Sequence, residues 1–217
     1  MNLEFYKQIS ENVEKGRANQ VKKLVVQALE DGCAADDILE FGLISAMERV
    51  GISFKNYHIF VPEVILAARA MSAAMEILEP KLLRQTAFLG KAVIGSIEGD
   101  FHEIGKNLVT IMLKNAGIDT LDIGMNVSPE MFLENAEKFG ADLICISASI
   151  TTTMTNIPRV LKHLEQKGVR DRYTVLVGGA PLTESYCRKI GADGYTQNAT
   201  DCAALAARIL REKNERD

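Results

Sequence analysis

From residue 90 onward short apolar runs alternate with amphipathic stretches, and no other feature restricts the fold as much. Residues 92–97, 121–123, 143–147, 175–177 and 194–196 read as strands. Helical patterns follow near 105–116, 129–139, 155–167, 183–190 and 200–213. Ser128-Pro129 supplies an N-cap and a first helical residue for the second of these. Strands separated by helices of about ten to fifteen residues form βαβ units, which pair in parallel. The pattern therefore predicts a flavodoxin-like (Rossmann-like) five-stranded parallel sheet with flanking helices, covered on both faces. Such sheets bind ligands at the carboxyl ends of their strands.

Before residue 85 the periodicity is helical almost throughout. Val21, Leu24, Val25, Ala28 and Leu29 share one helix face, and Asp36 is the expected N-cap of a helix carrying Leu39, Leu43, Ala46, Met47 and Val50. Pro62 suits a first helical position, and Val64, Ala67, Ala68, Met71, Met75 and Leu78 repeat at helical spacing to about Leu83. With a first helix near 3–15, a four-helix bundle is predicted over 1–85, ahead of an α/β domain over 90–217. The polar stretch 84–91 between them is the expected hinge.

Composition narrows the partners. The 217 residues carry 25 basic and 29 acidic groups, net −4, with no basic run to contact phosphates, so nucleic acid is not an expected partner. No apolar stretch reaches the ~20 residues of a membrane span, and the charged amphipathic start lacks a signal-peptide core. Cys33, Cys145, Cys187 and Cys202 have no C-x-x-C spacing and read as reduced thiols, so a cytoplasmic protein is expected. Cys145 reads as a small buried hydrophobe, His58 and His163 as surface groups, and the bundle methionines as core.

Three strand ends attract attention. The first runs Glu98-Gly99-Asp100-Phe101-His102-Glu103-Ile104-Gly105-Lys106-Asn107. An aspartate two residues before an exposed imidazole suits an orienting partner that accepts the Nδ1 proton and leaves Nε2 free as a metal ligand. A surface acid–histidine pair is the commoner reading of so short a motif. Glu103 reads as a solvated acid at a helix start. The third strand leads into Ser147-Ala148-Ser149-Ile150-Thr151-Thr152-Thr153-Met154, whose hydroxyls suit either a polar slot or a cap on the next helix through Thr153. The fourth ends in Gly178-Gly179-Ala180-Pro181, a turn that also offers a surface free of side chains.

These segments together resemble the cobalamin-binding signature D-x-H-x-x-G…S-x-L…G-G, with Asp100, His102, Gly105, Ser147, Gly178 and Gly179 in place and Ser149 where the signature has leucine. Over its whole length the chain resembles the corrinoid proteins of anaerobic methyltransferase systems (methylamine, methanol and methoxy-compound types) and the cobalamin module of methionine synthase. The resemblance implies cobalamin or a related corrinoid bound with its benzimidazole off the cobalt and His102 as lower axial ligand. It implies that Asp100 holds the other ring nitrogen and that Thr153 completes the relay. Ser147 would bond the buried nucleotide base, Gly178 and Gly179 would pass its tail, and Gly105 would leave room beside the first loop. Gly99, Phe101, Glu103, Ile104, Ser149, Ile150, Thr151 and Ala180 complete the implied cofactor contacts.

The implied role is a methyl carrier cycling between Co(I) and methyl-Co(III), loaded as methylcobalamin, in one-carbon metabolism. By the same resemblance it would be a subunit of a multi-component methyltransferase rather than a complete enzyme. Its partners would be a substrate-specific methyltransferase, a second methyl-accepting methyltransferase and a reductive activase. The bundle would cover the methyl face, with the Phe60-Val61-Pro62-Glu63 turn and the Ile65, Ala68 and Met71 face as candidates against a strong expectation of plain core packing. A cobalamin-dependent sensor is the alternative, but such regulators carry a DNA-binding segment that is not seen in these residues. A carbon-skeleton mutase subunit lacks such a cap, and a flavodoxin-like nucleotide binder would show G-x-G-x-x-G after a strand.

Overall fold

Helical periodicity in the first part of the chain becomes α1 (Leu3–Glu14), α2 (Ala18–Glu30), a run of α3 (Ala35–Asp37), a π segment (Ile38–Ile44) and α4 (Ser45–Lys55), and then α5 (Val61–Leu78). The computed structural model describes residues 3–82 and 88–215. It divides into two compact units, Met1–Ala87 and Phe88–Asp217.

Each helix of the first unit buries one stripe: Tyr6, Ile9 and Val13 on α1; Val21, Leu24, Val25 and Ala28 on α2; Ala67, Ala70, Ala73 and Ala74 on α5. The small residues set the spacing. Gly16, left-handed at φ +65°, lies so near α5 that an added Cβ would fall 2.4 Å from Leu66 Cβ. The π segment widens the helix around Gly42, whose bare Cα faces Ile9 of α1. Ile38, Leu39, Leu43, Ala46, Met47 and Val50 are buried along this run, as the periodicity requires.

Several boundaries differ from expectation. Asp36 is not an N-cap: the helix begins at Ala35, and Asp36 and Asp37 lie in its first turn, where their charge suits the helix dipole. Helix α5 starts at Val61, one residue before Pro62, and Glu63 Oε2 accepts the Phe60 N–H at 3.0 Å. It stops at Leu78, where a 3₁₀ turn containing Pro80 takes over, because proline cannot continue the hydrogen-bond ladder. Leu83 and hinge positions 84–87 lie outside the described residues. Gly90 and Lys91, assigned to the hinge from sequence, instead open the first strand, where Lys91 N–H is held by Asp142 Oδ2 at 2.9 Å.

The second unit is a five-stranded all-parallel sheet, β1 (Gly90–Ser96), β2 (Ile118–Asp122), β3 (Leu143–Ser147), β4 (Thr174–Gly178) and β5 (Gly194–Thr196), in the order β2-β1-β3-β4-β5. Helices α6 (Ile104–Asn115), α7 (Pro129–Phe139), α8 (Thr151–Met154), α9 (Ile157–Gln166), α10 (Glu184–Ile190) and α11 (Ala199–Asn214) flank it. Ser128 caps α7 as its sequence predicts, accepting from Met131 N–H. Strand β2 begins three residues before the expected 121, because at the sheet edge only alternate residues, Ile118 and Thr120, are buried. The helix expected near 155–167 is α9, Ile157–Gln166, with Pro158 in its first turn, and the separate turn of α8 precedes it.

One sheet face packs Val93, Ile97, Ile144, Ile146, Val175 and Val177 against Phe132 and Ala136 of α7 and Val160 and Leu164 of α9. Cys145 is buried, and the neighbouring Cys202 thiol together with desolvation pushes its own thiol well above the usual range, which makes it unreactive. His58 is exposed, but His163 is a correction: only 17% of its side chain is exposed, and its Nδ1 lies 3.9 Å from Glu130.

Candidate functional site

Sheet register places one row of small residues along the carboxyl edge: Ser96 pairs with Ser147, Ser147 with Gly178, and Gly178 with Thr196. Ser96 is buried in this row, whereas Ser147, Gly178 and Thr196 are partly exposed and too short to fill the edge above them. The loops that follow β1, β3 and β4 all leave from this row.

After β1 the chain turns at Gly99, φ +83°, a conformation that suits glycine. This turn drives Asp100 inward until it is fully buried. Four donors meet its carboxylate. Oδ1 accepts the His102 N–H at 3.0 Å and the His102 ring Nδ1–H at 2.8 Å. Oδ2 accepts the Ser149 N–H at 2.6 Å and the Thr153 hydroxyl at 2.8 Å. Burial alone would raise the Asp100 pKa, but the donors from Ser149, His102 and Thr153 outweigh it and hold it below the ordinary carboxylate range. Asp100 is therefore an anion at neutral pH, and an anion there accepts a hydrogen bond from the Nδ1–H of His102. With Nδ1 turned inward and 60% of the side chain exposed, the Nε2 edge of the ring is left outward.

Other contacts fix this loop. Ser96 Oγ donates to the His102 carbonyl at 2.7 Å, and Asn156 Nδ2 donates to the Glu98 carbonyl at 3.0 Å. Arg159 pairs with the Glu98 carboxylate. Buried Lys106, on the first turn of α6, pairs with Asp122 at the end of β2. Glu103 is the N-cap residue of α6 and is exposed.

The hydroxyl-rich stretch after β3 is not an open loop. Thr151–Met154 forms the single turn α8, and Thr153 lies inside it rather than capping the next helix. Its hydroxyl faces both Asp100 Oδ2 and the Ile150 carbonyl, and the charged acceptor is the stronger. Ser149 contributes a backbone N–H, so the serine in place of leucine leaves this contact intact. After β4, Gly179 adopts φ +139°, and a Cβ there would fall 1.8 Å from the Ala148 carbonyl oxygen. Ala148 N–H in turn donates to the Gly178 carbonyl at 3.0 Å, so the two loops lie against each other with no side chain between them.

Asp100, His102, Ser149 and Thr153 are thus joined in one network, and Ser147 and Gly178 are adjacent in the row. Phe101, Ile104, Gly105, Ile150, Thr151 and Ala180 lie on the same loops and are exposed. A Cβ on Gly105 would meet nothing within 4 Å, so the space beside the first turn of α6 is clear. Ser96, Met125, Asn126, Asn156 and Thr196 also belong to this edge, and sequence motifs alone do not single them out.

This edge fits a corrin. Phe101, Ile104, Met125 and Ile150 expose apolar surface within two residues of the Asp100 network or its loop contacts, which suits a broad apolar macrocycle. Among the described residues no group of three or more metal-ligating side chains converges, so a metal at His102 must bring most of its ligands with it. A corrin's cobalt does so.

Comparison with known proteins agrees. Residues 90–204 match a B12 binding domain, and residues 6–79 match a second B12 binding domain. The chain is 39% identical over 212 residues to dimethylamine corrinoid protein 2 of Methanosarcina acetivorans, covering 97% of this chain and 98% of that one. The chain belongs to the B12-binding corrinoid-protein family. A corrinoid protein of Desulfitobacterium hafniense is 35% identical over 214 residues, covering 97% and 99% of the two chains. Among solved structures, the methanol:cobalamin methyltransferase complex MtaBC from Methanosarcina barkeri superposes with a TM-score of 0.84 at 26% identity, covering 96% of this chain and 80% of that one. The corrinoid protein's cofactor is cobalamin or a related corrinoid. No helix among its described residues is long and apolar enough to cross a membrane.

Proposed function

We propose that this corrinoid protein is a methyl carrier in a multi-component methyltransferase system, holding its cofactor base-off with His102 as the lower ligand. The observation that carries the reading is the buried Asp100 carboxylate, which holds the Nδ1–H of an exposed His102 at 2.8 Å. When bound, the corrinoid supplies a cobalt that takes a methyl group from one partner and gives it to another. The chain's own residues set the strength of the ligand. Asp100 keeps the Nδ1 proton on the imidazole and so makes Nε2 a better donor. Thr153 fixes Oδ2, which keeps Oδ1 aimed at the ring.

The row Ser96–Ser147–Gly178–Thr196 and the bare backbone of Gly179 suit a buried nucleotide tail, with Ser147 as the base contact. Partners of the methyltransferase class follow from the relatives: dimethylamine and trimethylamine corrinoid proteins in Methanosarcina acetivorans, and the MtaBC complex of Methanosarcina barkeri. A substrate-specific methyltransferase would load the carrier, a second would unload it, and a reductive activase would restore it after oxidation.

The test is to load wild-type protein and His102→Ala with a corrinoid and compare their absorption spectra, then their methyl transfer with candidate methyltransferases. The variant is expected to stay folded, show a ligand-free base-off spectrum and transfer poorly. Identical spectra and transfer in the two proteins would sink the assignment.

A further inference from the structure

The β2–α7 loop supplies a support for the histidine loop that none of the sequence motifs contains. Asn126 has φ +54°, and outside glycine only it and Tyr57 have positive φ among the described residues. Asparagine accepts this region more readily than most residues, because its short polar side chain can bond locally. Here it bonds across the sheet edge. Its Oδ1 accepts the Gly99 N–H at 2.8 Å, and its own N–H donates to the Asp100 carbonyl at 3.0 Å. The two bonds grip two consecutive residues of the loop, Gly99 and Asp100, with only Phe101 between them and His102.

The grip is anchored on both sides. Gly124 O accepts the Ser96 N–H at 3.0 Å, and Val127 N–H donates to Ser96 O at 2.9 Å. Ile97 and Val127 form a parallel bridge that carries the pairing past the end of β1. Asp122 bonds the Gly124 N–H through Oδ1 and pairs with Lys106 through Oδ2, which ties the loop to the first turn of α6. Asn126 is therefore the residue through which a fixed loop meets the Gly99–Asp100 turn.

We infer that Asn126 is a positioning residue for His102: by holding Gly99 and Asp100 it fixes where the carboxylate meets Nδ1 and so which ring nitrogen faces outward. The inference rests on the reading of His102 as the lower ligand. It concerns the imidazole itself, so it can be measured without the cofactor. An outer partner of a metal-binding histidine is commonly worth about ten- to a hundredfold in metal affinity, and Asn126 stands one contact further out, so the lower end applies.

The test uses the full chain with Asn126→Gly, Asn126→Ala and Asn126→Asp. Glycine keeps the backbone conformation and removes the side-chain acceptor, alanine removes the acceptor and strains the backbone, and aspartate keeps an acceptor at the same place. In the cofactor-free protein at one fixed pH, nitrogen NMR reads the tautomer of neutral His102, and hydrogen exchange reads the Gly99 amide. Wild type and Asn126→Asp are expected to show the Nδ1–H tautomer and a protected amide. Asn126→Gly is expected to show mixed tautomers, Gly99 exchange about tenfold faster and cobalamin affinity about tenfold weaker.

A general loss of stability would not redistribute the tautomers of a folded population, so that readout separates positioning from mere support. Asn126→Gly matching wild type in tautomer and affinity would overturn the inference, as would Asn126→Asp behaving like Asn126→Gly. If Asn126→Ala does not fold, the glycine variant decides. If the tautomer shifts as expected but wild-type protein binds no corrinoid through His102, the positioning role stands and the carrier reading fails.

Discussion

Replacing Gly179 by alanine tests the closeness of the β3 and β4 loops. The added Cβ would lie 1.8 Å from Ala148 O, 2.7 Å from Ala148 C and 3.1 Å from Ala148 N. All three are backbone atoms, held by the Ala148–Gly178 hydrogen bond, so no side-chain rotation can relieve the clash. Backbone strain at a glycine-only φ costs about 1–3 kcal/mol. Forcing an extra carbon into a closed space costs about 1–3 kcal/mol more. A total of about 2–6 kcal/mol is a large share of the roughly 5–15 kcal/mol that holds a domain together. Gly178 is the control, because its φ is ordinary and its added Cβ would lie 3.5 Å from Thr196 O, a normal contact. Gly178→Ala is expected to change stability by less than about 1 kcal/mol while placing a methyl group in the slot row, so cofactor affinity falls with the fold intact. Urea unfolding of the cofactor-free chain measures both, with the midpoint shifting at constant slope. Equal midpoints for the two variants would refute the steric argument.

The Asp100 carboxylate gives two further predictions. Asp100→Asn must present its NH₂ to one of two oxygen positions that each already receive a backbone N–H, from His102 or from Ser149, so one donor is orphaned. Because the folded-state pKa of Asp100 is depressed, its contribution is present above the unfolded-state pKa and is lost as pH falls through the folded value. Asp100→Asn should therefore be less stable than wild type at pH 7, with the gap closing on acidification; a gap constant with pH would rule the linkage out. Thr153→Val keeps the shape and removes one charge-assisted bond, for an expected loss of about 1.5–3 kcal/mol at neutral pH by thermal or urea unfolding, shrinking in acid for the same reason. A neutral-pH loss that persists unchanged in acid would place the effect in packing.

Which features are legible in the sequence depends on whether the residue or its surroundings carry the information. The alternation of apolar runs is local and predicts the parallel sheet, and the Ser128-Pro129 pair is as local and predicts the cap of α7. Strand β2 is harder, because an edge strand buries only one side and the polar Asp119 and Thr120 interrupt the apolar run. Helix α8 opens with three threonines, poor helix formers in sequence, before Met154; its turn forms where Thr153 is held by Asp100 and Ile150. The pairing of Asp100 with His102 is two residues long and so visible as a motif. Asn126 is not, because its role exists only once β2 lies beside β1 and brings a loop 27 residues away against Gly99. Ser149 shows the opposite case: its side chain departs from the family signature, yet the contact it makes is through its backbone.

That distinction says why the site tolerates change at some positions and not at others. A fully buried carboxylate is costly unless its oxygens are satisfied, and here the donors come from two separate segments, the His102 loop after β1 and the 149–153 stretch after β3. The first is local to Asp100, but the second does not reach it until β1 and β3 pair with Ser96 beside Ser147. Assembly of the site is thereby coupled to the register of the sheet: a slip of one residue would misplace Ser149 and Thr153 together and leave Oδ2 without its donors. Two of the four donors are backbone N–H groups, which side-chain substitution does not remove, so the anion survives at Oδ1 and Oδ2 even when a neighbour changes. The other two, the His102 ring and the Thr153 hydroxyl, are where a substitution is felt. Of these only the ring has its far side open, so the Asp100 carboxylate acts beyond its own burial only through the orientation it gives that ring.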